Sequence, residues 1–281
     1  MPENFVKLFH LNCGTMNGYG FPLDDGTGGF FKRGHGVIHC LLIETSEGLV
    51  MVDTGWGKQD CTDPAPGVRQ FMKITHCSGN LNETAFNQIN RLGYDQSDLK
   101  HIFLTHLHMD HAGGLPDFPA ATIHIFNDEI EAWLHPRTLM ERRAYQPESW
   151  AHNPKWQIHK FNGDQWFGYD CLPPVQVGET NFVLIPFIGH TRGHCCVAVQ
   201  RDDKWLLHCG DAYGYYQQVN PIQPYQHPSG RLMETIVTTG FKMPKRHWVS
   251  IRNLLSEHGN QIQTFCSHDL HEFKLFTETV G

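Results

Sequence analysis

One short segment does most to restrict the folds open to this chain: Leu104-Thr105-His106-Leu107-His108-Met109-Asp110-His111-Ala112-Gly113-Gly114. It follows directly on the strand-like run His101–Leu104, so His106 and His108 lie at a strand end and the remainder enters a turn or helix start. In extended backbone, side chains two apart share a face, which lets His106 and His108 grip one ion. The turn at Met109 then carries Asp110 and His111 toward a second position nearby. Three imidazoles and a carboxylate within six residues suit zinc, with iron and manganese as competitors. A merely solvated polar loop accounts for neither that density nor the strand before it.

Three further segments end or join strands. Ile188-Gly189-His190-Thr191-Arg192-Gly193-His194 lies between two of them, Cys209-Gly210-Asp211-Ala212 follows Lys204–His208, and Ser267-His268-Asp269 follows Gln263–Cys266. Loops that converge on one edge of a sheet are where sites are commonly built. Each alone reads as an ordinary hydrogen-bonded loop; their joint order carries the weight. Other strand-like runs are Phe5–Leu11, Val37–Glu44, Leu49–Asp53, Thr122–Phe126, Phe182–Pro186 and Cys196–Gln200. Helical spacing marks Glu83–Leu92 after the cap Asn82, Asp128–His135 and Arg246–His258. Strand runs first, then strands alternating with helices, predict a layered α/β protein with mixed sheets, one domain over residues 1–281. Gly14–Gly36 and Ala212–Lys245 fit neither pattern and read as functional loops.

Composition narrows the function. Twenty histidines stand in a chain that is only 18% charged, so histidine carries much of the polar chemistry. With 22 basic against 29 acidic residues, a net charge of −7 argues against nucleic-acid or anionic-membrane partners, which need a basic face. Hydrophobic residues at 40% argue for a globular protein. The N-terminus lacks a basic stretch followed by an apolar one, and no segment approaches about eighteen uninterrupted apolar residues, so neither signal peptide nor membrane span is expected. Nine cysteines, odd in number, irregularly spaced and without a CxxC, read as buried thiols in a reducing compartment, with the cytoplasm expected.

Together these motifs resemble the metallo-β-lactamase-fold hydrolase superfamily, in pattern its N-acyl homoserine lactone lactonases. HxHxDH stands as His106, His108, Asp110 and His111; GHTxGH ends at His194; the isolated aspartate is Asp211; the last histidine is His268; and Val52-Asp53-Thr54-Gly55 matches the opening element. The resemblance implies an αββα sandwich, two mixed β-sheets flanked by helices, with the site at one edge of the sheets. It implies a first metal on His106, His108 and His194, a second on Asp110, His111 and His268, and Asp211 bridging them. Asp53 would orient a ligand imidazole from outside, and His190 would support the turn.

Two divalent ions, zinc first with iron or manganese as alternatives, about 3.5–4 Å apart would share a hydroxide nucleophile, so no Ser or Cys triad is required. Asp110 is the candidate to pass the nucleophile's proton to the leaving group. Tyr213, Tyr215 and Tyr216 follow the bridging aspartate, and a phenol among them is the candidate oxyanion donor, with a packing role as the alternative. Lactonases of this kind carry that tyrosine three residues after the aspartate, where this chain has Gly214. Cys195, Cys196 and Cys209 read as structural.

The expected partner is a small-molecule ester or lactone, an N-acyl homoserine lactone first. The alternatives are a phosphodiesterase, another ester or thioester hydrolase, or a non-catalytic metal-binding protein. A phosphodiesterase needs basic surface, and the chain has no basic cluster beyond Lys242–Arg246. A glutathione thioesterase carries a C-terminal helical extension, and 13 residues after His268 leave it no room. A β-lactamase is disfavoured by the bridging aspartate and the missing secretion signal. Leu134–Pro174, with Trp150, Trp156 and Trp166, is unlike the shortest lactonases and is expected to reshape the pocket. A homodimer is left open. His124, His135, His152, His159, His227 and His247 show no partner pattern.

Overall fold

Strand β2 (Gly36–Thr45) is apolar on both faces, and its neighbours explain why. In the computed structural model, which describes residues 7–19, 31–225 and 245–278, it lies inside a six-stranded sheet ordered β1-β2-β3-β4-β5-β6. The other strands are β1 (Leu8–Met16), β3 (Gly48–Val52), β4 (Leu99–Phe103), β5 (Thr122–Phe126) and β6 (Lys155–His159). Antiparallel pairing at β1–β2–β3 gives way to parallel pairing from β3 to β6. A two-stranded hairpin, β7 (Gln165–Trp166) with β8 (Tyr169–Asp170), leads to the second sheet. That sheet, ordered β13-β12-β11-β10-β9, contains β9 (Val175–Val177), β10 (Thr180–Pro186), β11 (Cys195–Arg201), β12 (Lys204–His208) and β13 (Ile262–Phe265). It is antiparallel except at β12–β13. Both sheets are mixed, as expected.

Period-two alternation sorts the core into three layers. Leu41 and Ile43 of β2 face the second sheet, meeting Phe182, Leu184, Val197 and Phe265. Phe103 stacks on Phe182 across that interface with ring centroids 4.6 Å apart. Cys40 and Leu42, one residue out of phase, face Val68 and Ile89 on the helices Pro66–Thr75 and Ala85–Arg91. On the far side, Val183, Ile185 and Leu207 pack against Ile251 and Leu254 of the helix Lys245–His258. Helix, sheet, sheet, helix is the αββα sandwich.

Among the described residues every strand-like run read from the sequence overlaps an observed strand, Phe5 and Val6 of the first run lying outside them, and the three helical patterns appear as Ala85–Arg91, Asn127–Leu134 and Lys245–His258. Thr84 caps the first of these instead of Asn82, its hydroxyl accepting from Asn87 N–H at 3.4 Å. Lys58–Thr62, Pro66–Thr75, Leu139–Ala144 and Leu270–Thr277 are helices that the periodicity did not disclose. Leu134–Pro174 is integral to the sandwich, since it supplies β6 at the edge of the first sheet and buries Trp150 and Trp166. Residues 14–16 of the expected Gly14–Gly36 loop belong to β1. Residues 20–30 and 226–244, including His227, lie outside the described residues, as do the side chains of Lys242–Arg246. No helix among the described residues is long and apolar enough to cross a membrane.

Candidate metal centre

Parallel strands release their loops at the same end, so β3 and β4 deliver Asp53 and Thr105–His111 side by side. Asp53 sits at φ +56°, a left-handed conformation that aspartate tolerates better than most residues, and Gly55 follows at φ +65°. A Cβ on Gly55 would lie 2.2 Å from that of Cys13, so a side chain has no room there. This turn is stitched to the histidine loop: Thr54 donates from both N–H and hydroxyl to the His111 carbonyl, at 2.8 and 2.9 Å. Asp53 accepts from the N–H and hydroxyl of Thr105, each at 2.8 Å, and its Oδ2 lies 2.8 Å from His111 Nδ1. The Nε2 of His111 is thereby aimed inward.

The ligand-capable side chains form three overlapping groups: His106, His108 and His190; His106, His111 and Asp211; Asp110, His111 and His268. Asp211 joins them. Its Oδ2 lies 3.2 Å from His190 Nε2, while its Oδ1 lies 3.4 Å from His111 Nε2 and 3.3 Å from His268 Nε2. Asp110 closes the far side, its Oδ2 3.5 Å from His268 Nε2. His268 donates its Nδ1–H to the Val37 carbonyl at 2.8 Å, which leaves Nε2 for the site.

His194 lies beside these groups, its ring centroid 5.2 Å from that of His106. Its Nδ1 bonds the Phe187 carbonyl at 3.1 Å and its Nε2 accepts from the Asp211 N–H at 2.9 Å, so both nitrogens are engaged. His190 takes the place in the three-imidazole group, its Nε2 2.9 Å from His108 Nδ1. His247 of the helix Lys245–His258 fixes that loop from outside, bonding the Ile188 carbonyl at 2.6 Å.

The donor set suits a cation. His106 Nε2 is buried without a hydrogen-bond partner, an arrangement that costs about 1–3 kcal/mol unless something else satisfies it, and His111 Nε2 beside it faces Asp211 Oδ1 only at 3.4 Å. Imidazole and carboxylate are the donors that zinc, iron and manganese accept. Burial, reinforced by neighbouring imidazoles, holds His106 and His108 well below the usual histidine range, so they stay neutral. Burial alone would also lower His111, but Asp211, Asp110 and Asp53 override it and raise the imidazole. Burial opposes ionisation of Asp211, yet His268, His111 and His190 hold its carboxyl well below the usual carboxylate range.

The tyrosines differ from one another. Tyr213 is buried among the residues outside the second sheet, and its hydroxyl donates to Glu272 Oε1 at 2.9 Å. Tyr215 is buried edge-to-face against Tyr216, with centroids 4.8 Å apart. Cys195, Cys196 and Cys209 are buried with carbonyl contacts at 3.6–3.7 Å, and no cysteine joins a metal-capable group among the described residues. Thr105 and Glu129 went unnoticed in the sequence. Thr105 immediately precedes the motif, and Glu129 has no motif to mark it.

The metallo-beta-lactamase superfamily matches residues 33–236 of the chain. A probable metallo-hydrolase of Mycobacterium tuberculosis is 38% identical over 275 residues, covering 98% of this chain and 84% of that protein. An N-acyl homoserine lactonase of Bacillus thuringiensis is 29% identical over 173 residues, 59% of this chain and 60% of the relative. Among solved structures, an N-acyl homoserine lactone hydrolase with N-hexanoyl-L-homoserine at its catalytic metal centre superposes with a TM-score of 0.68 at 22% identity, over 96% of each chain. The chain belongs to the metallo-beta-lactamase superfamily. Within it, the chain is a metal-dependent hydrolase.

Proposed function

We propose that the site holds two divalent cations, zinc first, and that the chain opens a carboxylic ester, a lactone of the N-acyl homoserine type above others. The observation that carries this is the Asp211 carboxylate, whose two oxygens face His190 on one side and His111 with His268 on the other. A carboxylate so placed can be shared by two cations. His106, His108 and His190 would hold one, and Asp110, His111 and His268 the other. When bound, the pair supplies Lewis acidity and a nucleophile at neutral pH. The chain does the rest. Asp53 and Thr105 lock the His111 ring, Val37 locks His268, and Asp110 is the carboxylate that can take a proton and return it to the leaving group. Tyr213 and Tyr215, which follow Asp211 in the chain, are the tyrosines proposed for the developing oxyanion, and the Tyr213 hydroxyl donates to Glu272.

The likeness to lactonases in sequence and fold supports the substrate class. A small-molecule partner accords with the acidic balance of the chain. Nine free cysteines accord with the reducing cytoplasm. The test is a metal count per chain beside a screen of acyl homoserine lactones, a simple aryl ester, a phosphodiester, a glutathione thioester and a cephalosporin. Two ions with turnover confined to lactones is expected. Turnover of the phosphodiester alone would replace the substrate class, and fewer than about 1.5 ions per chain after metal-replete growth would refute the paired site.

A further inference from the structure

Glu129 contributes nothing to the ligand set, yet it is fully buried between the two loops that do. Its Oε1 accepts from the Leu107 N–H at 2.9 Å, and Leu107 is the residue between His106 and His108. Its Oε2 accepts from the Thr191 hydroxyl at 2.6 Å and the Gly193 N–H at 3.1 Å, in the loop that begins with His190. One carboxylate therefore spans both loops, an oxygen to each. The second loop is pressed against the first turn of the helix Asn127–Leu134, where a Cβ on Gly193 would lie 2.0 Å from the Glu129 nitrogen.

The opposite side of the site is anchored independently. His111 is fixed by Asp53 and Thr54, and His268 by the Val37 carbonyl; none of these contacts passes through Glu129. We propose that Glu129 is a positioning residue that sets the separation of His106 and His108 from His190, and so governs the cation position these imidazoles form but not the one at Asp110, His111 and His268. The proposal rests on the two-cation reading above. Glutamine sharpens it, because a carboxamide offers a single acceptor oxygen and can satisfy one loop but not both. The other loop would be left with buried donors unpaired, and would shift.

The metal-free full chain and its E129Q variant would be titrated with cobalt(II) alone, following visible absorption and bound metal after equilibrium dialysis. Two ions are expected for the wild type. For E129Q one ion should stay at wild-type affinity and the other weaken roughly 10–100-fold, the range for partners outside the ligand shell. The ion that E129Q retains should be lost on adding H268A and kept on adding H190A. T191V, which removes one donor and leaves the carboxylate, should weaken the same ion by less and serves if E129Q does not fold. Two ions at unchanged affinity in E129Q, or equal weakening of both, would overturn the inference while leaving the two-cation reading intact. A wild type that binds one ion would overturn that reading and the inference with it.

Discussion

At the residue scale the site turns on Asp211, whose two oxygens are faced by imidazoles from three different loops. Replacing it with alanine removes the shared carboxylate and leaves His111 facing Asp53 and Asp110, and His268 facing Asp110. D211A should bind fewer than two ions and lose more than ~100-fold in turnover, beyond the loss expected for a partner outside the ligand shell. Metal analysis beside a lactone assay checks both, and an unchanged rate would show that the bridge is misassigned. Tyrosine offers a cleaner contrast. Y213F or Y215F should lower kcat by roughly 100-fold where its phenol meets the oxyanion. Y213F should also cost about 1 kcal/mol of stability, through the lost bond to Glu272. A kcat near wild type in both variants would remove the two tyrosines from that role. Not everything here was legible in advance. HxHxDH, Asp211 and His268 announce themselves by type and position, but GHTxGH contains two histidines of equal appearance. In the fold the Asp211 N–H meets His194 Nε2, while Asp211 Oδ2 faces His190 Nε2, a difference that chain spacing does not carry.

At the scale of elements, the strands were legible because their apolar runs satisfy two faces at once, as β2 does between the helices and the second sheet. The short helices were not. Lys58–Thr62 has a single buried residue, and Pro66–Thr75 buries Val68, Met72 and Thr75, so neither offers a long apolar stripe to read. Leu139–Ala144 is set instead by an ion pair: Glu141 meets Arg192 at 2.6 Å, while the same guanidinium bonds the His135 carbonyl at 2.7 Å. Arg192 belongs to the ligand loop, so the extra segment is clamped to the site by a contact that no local pattern reveals. The docking of that loop is testable through its glycine. A Cβ on Gly193 meets helix backbone, which cannot give way as a flexible side chain would. G193A should destabilise the apoprotein by about 1–3 kcal/mol. It should also raise the chelator sensitivity of one bound ion. Both are read by urea unfolding and by chelator competition, and a G193A protein as stable as wild type would mean the loop sits farther from the helix.

Across the whole molecule, many surplus histidines turn out to be internal structure. His101, His124 and His159 form a string across β4, β5 and β6, with ring nitrogens 2.9 and 3.0 Å apart. His10 and His39 pair across β1 and β2 at 2.7 Å. Spacing along the chain could not disclose these pairs, because each links different strands through the register of the sheet. Burial, aided by neighbouring imidazoles, lowers His10 and His124 to about 3. In the unfolded chain both return to about 6.5. Between those values the unfolded state binds more protons, so stability is full above about pH 6.5 and falls as pH drops toward 3, by up to about 1.4 kcal/mol per pH unit for each proton. Asp60 pulls the other way. Burial, with Asp117 nearby, raises its carboxyl to about 7, so its contribution is complete below about pH 4 and is lost as pH rises through 7. Urea unfolding of the metal-free protein at intervals from pH 7.5 to 4.5 separates the two. H124N should flatten the acid-side loss of stability, whereas D60N should steepen the rise of stability with pH over the same interval. If H124N leaves the slope unchanged, the string titrates as freely folded as unfolded, and its burial has no thermodynamic consequence in this window.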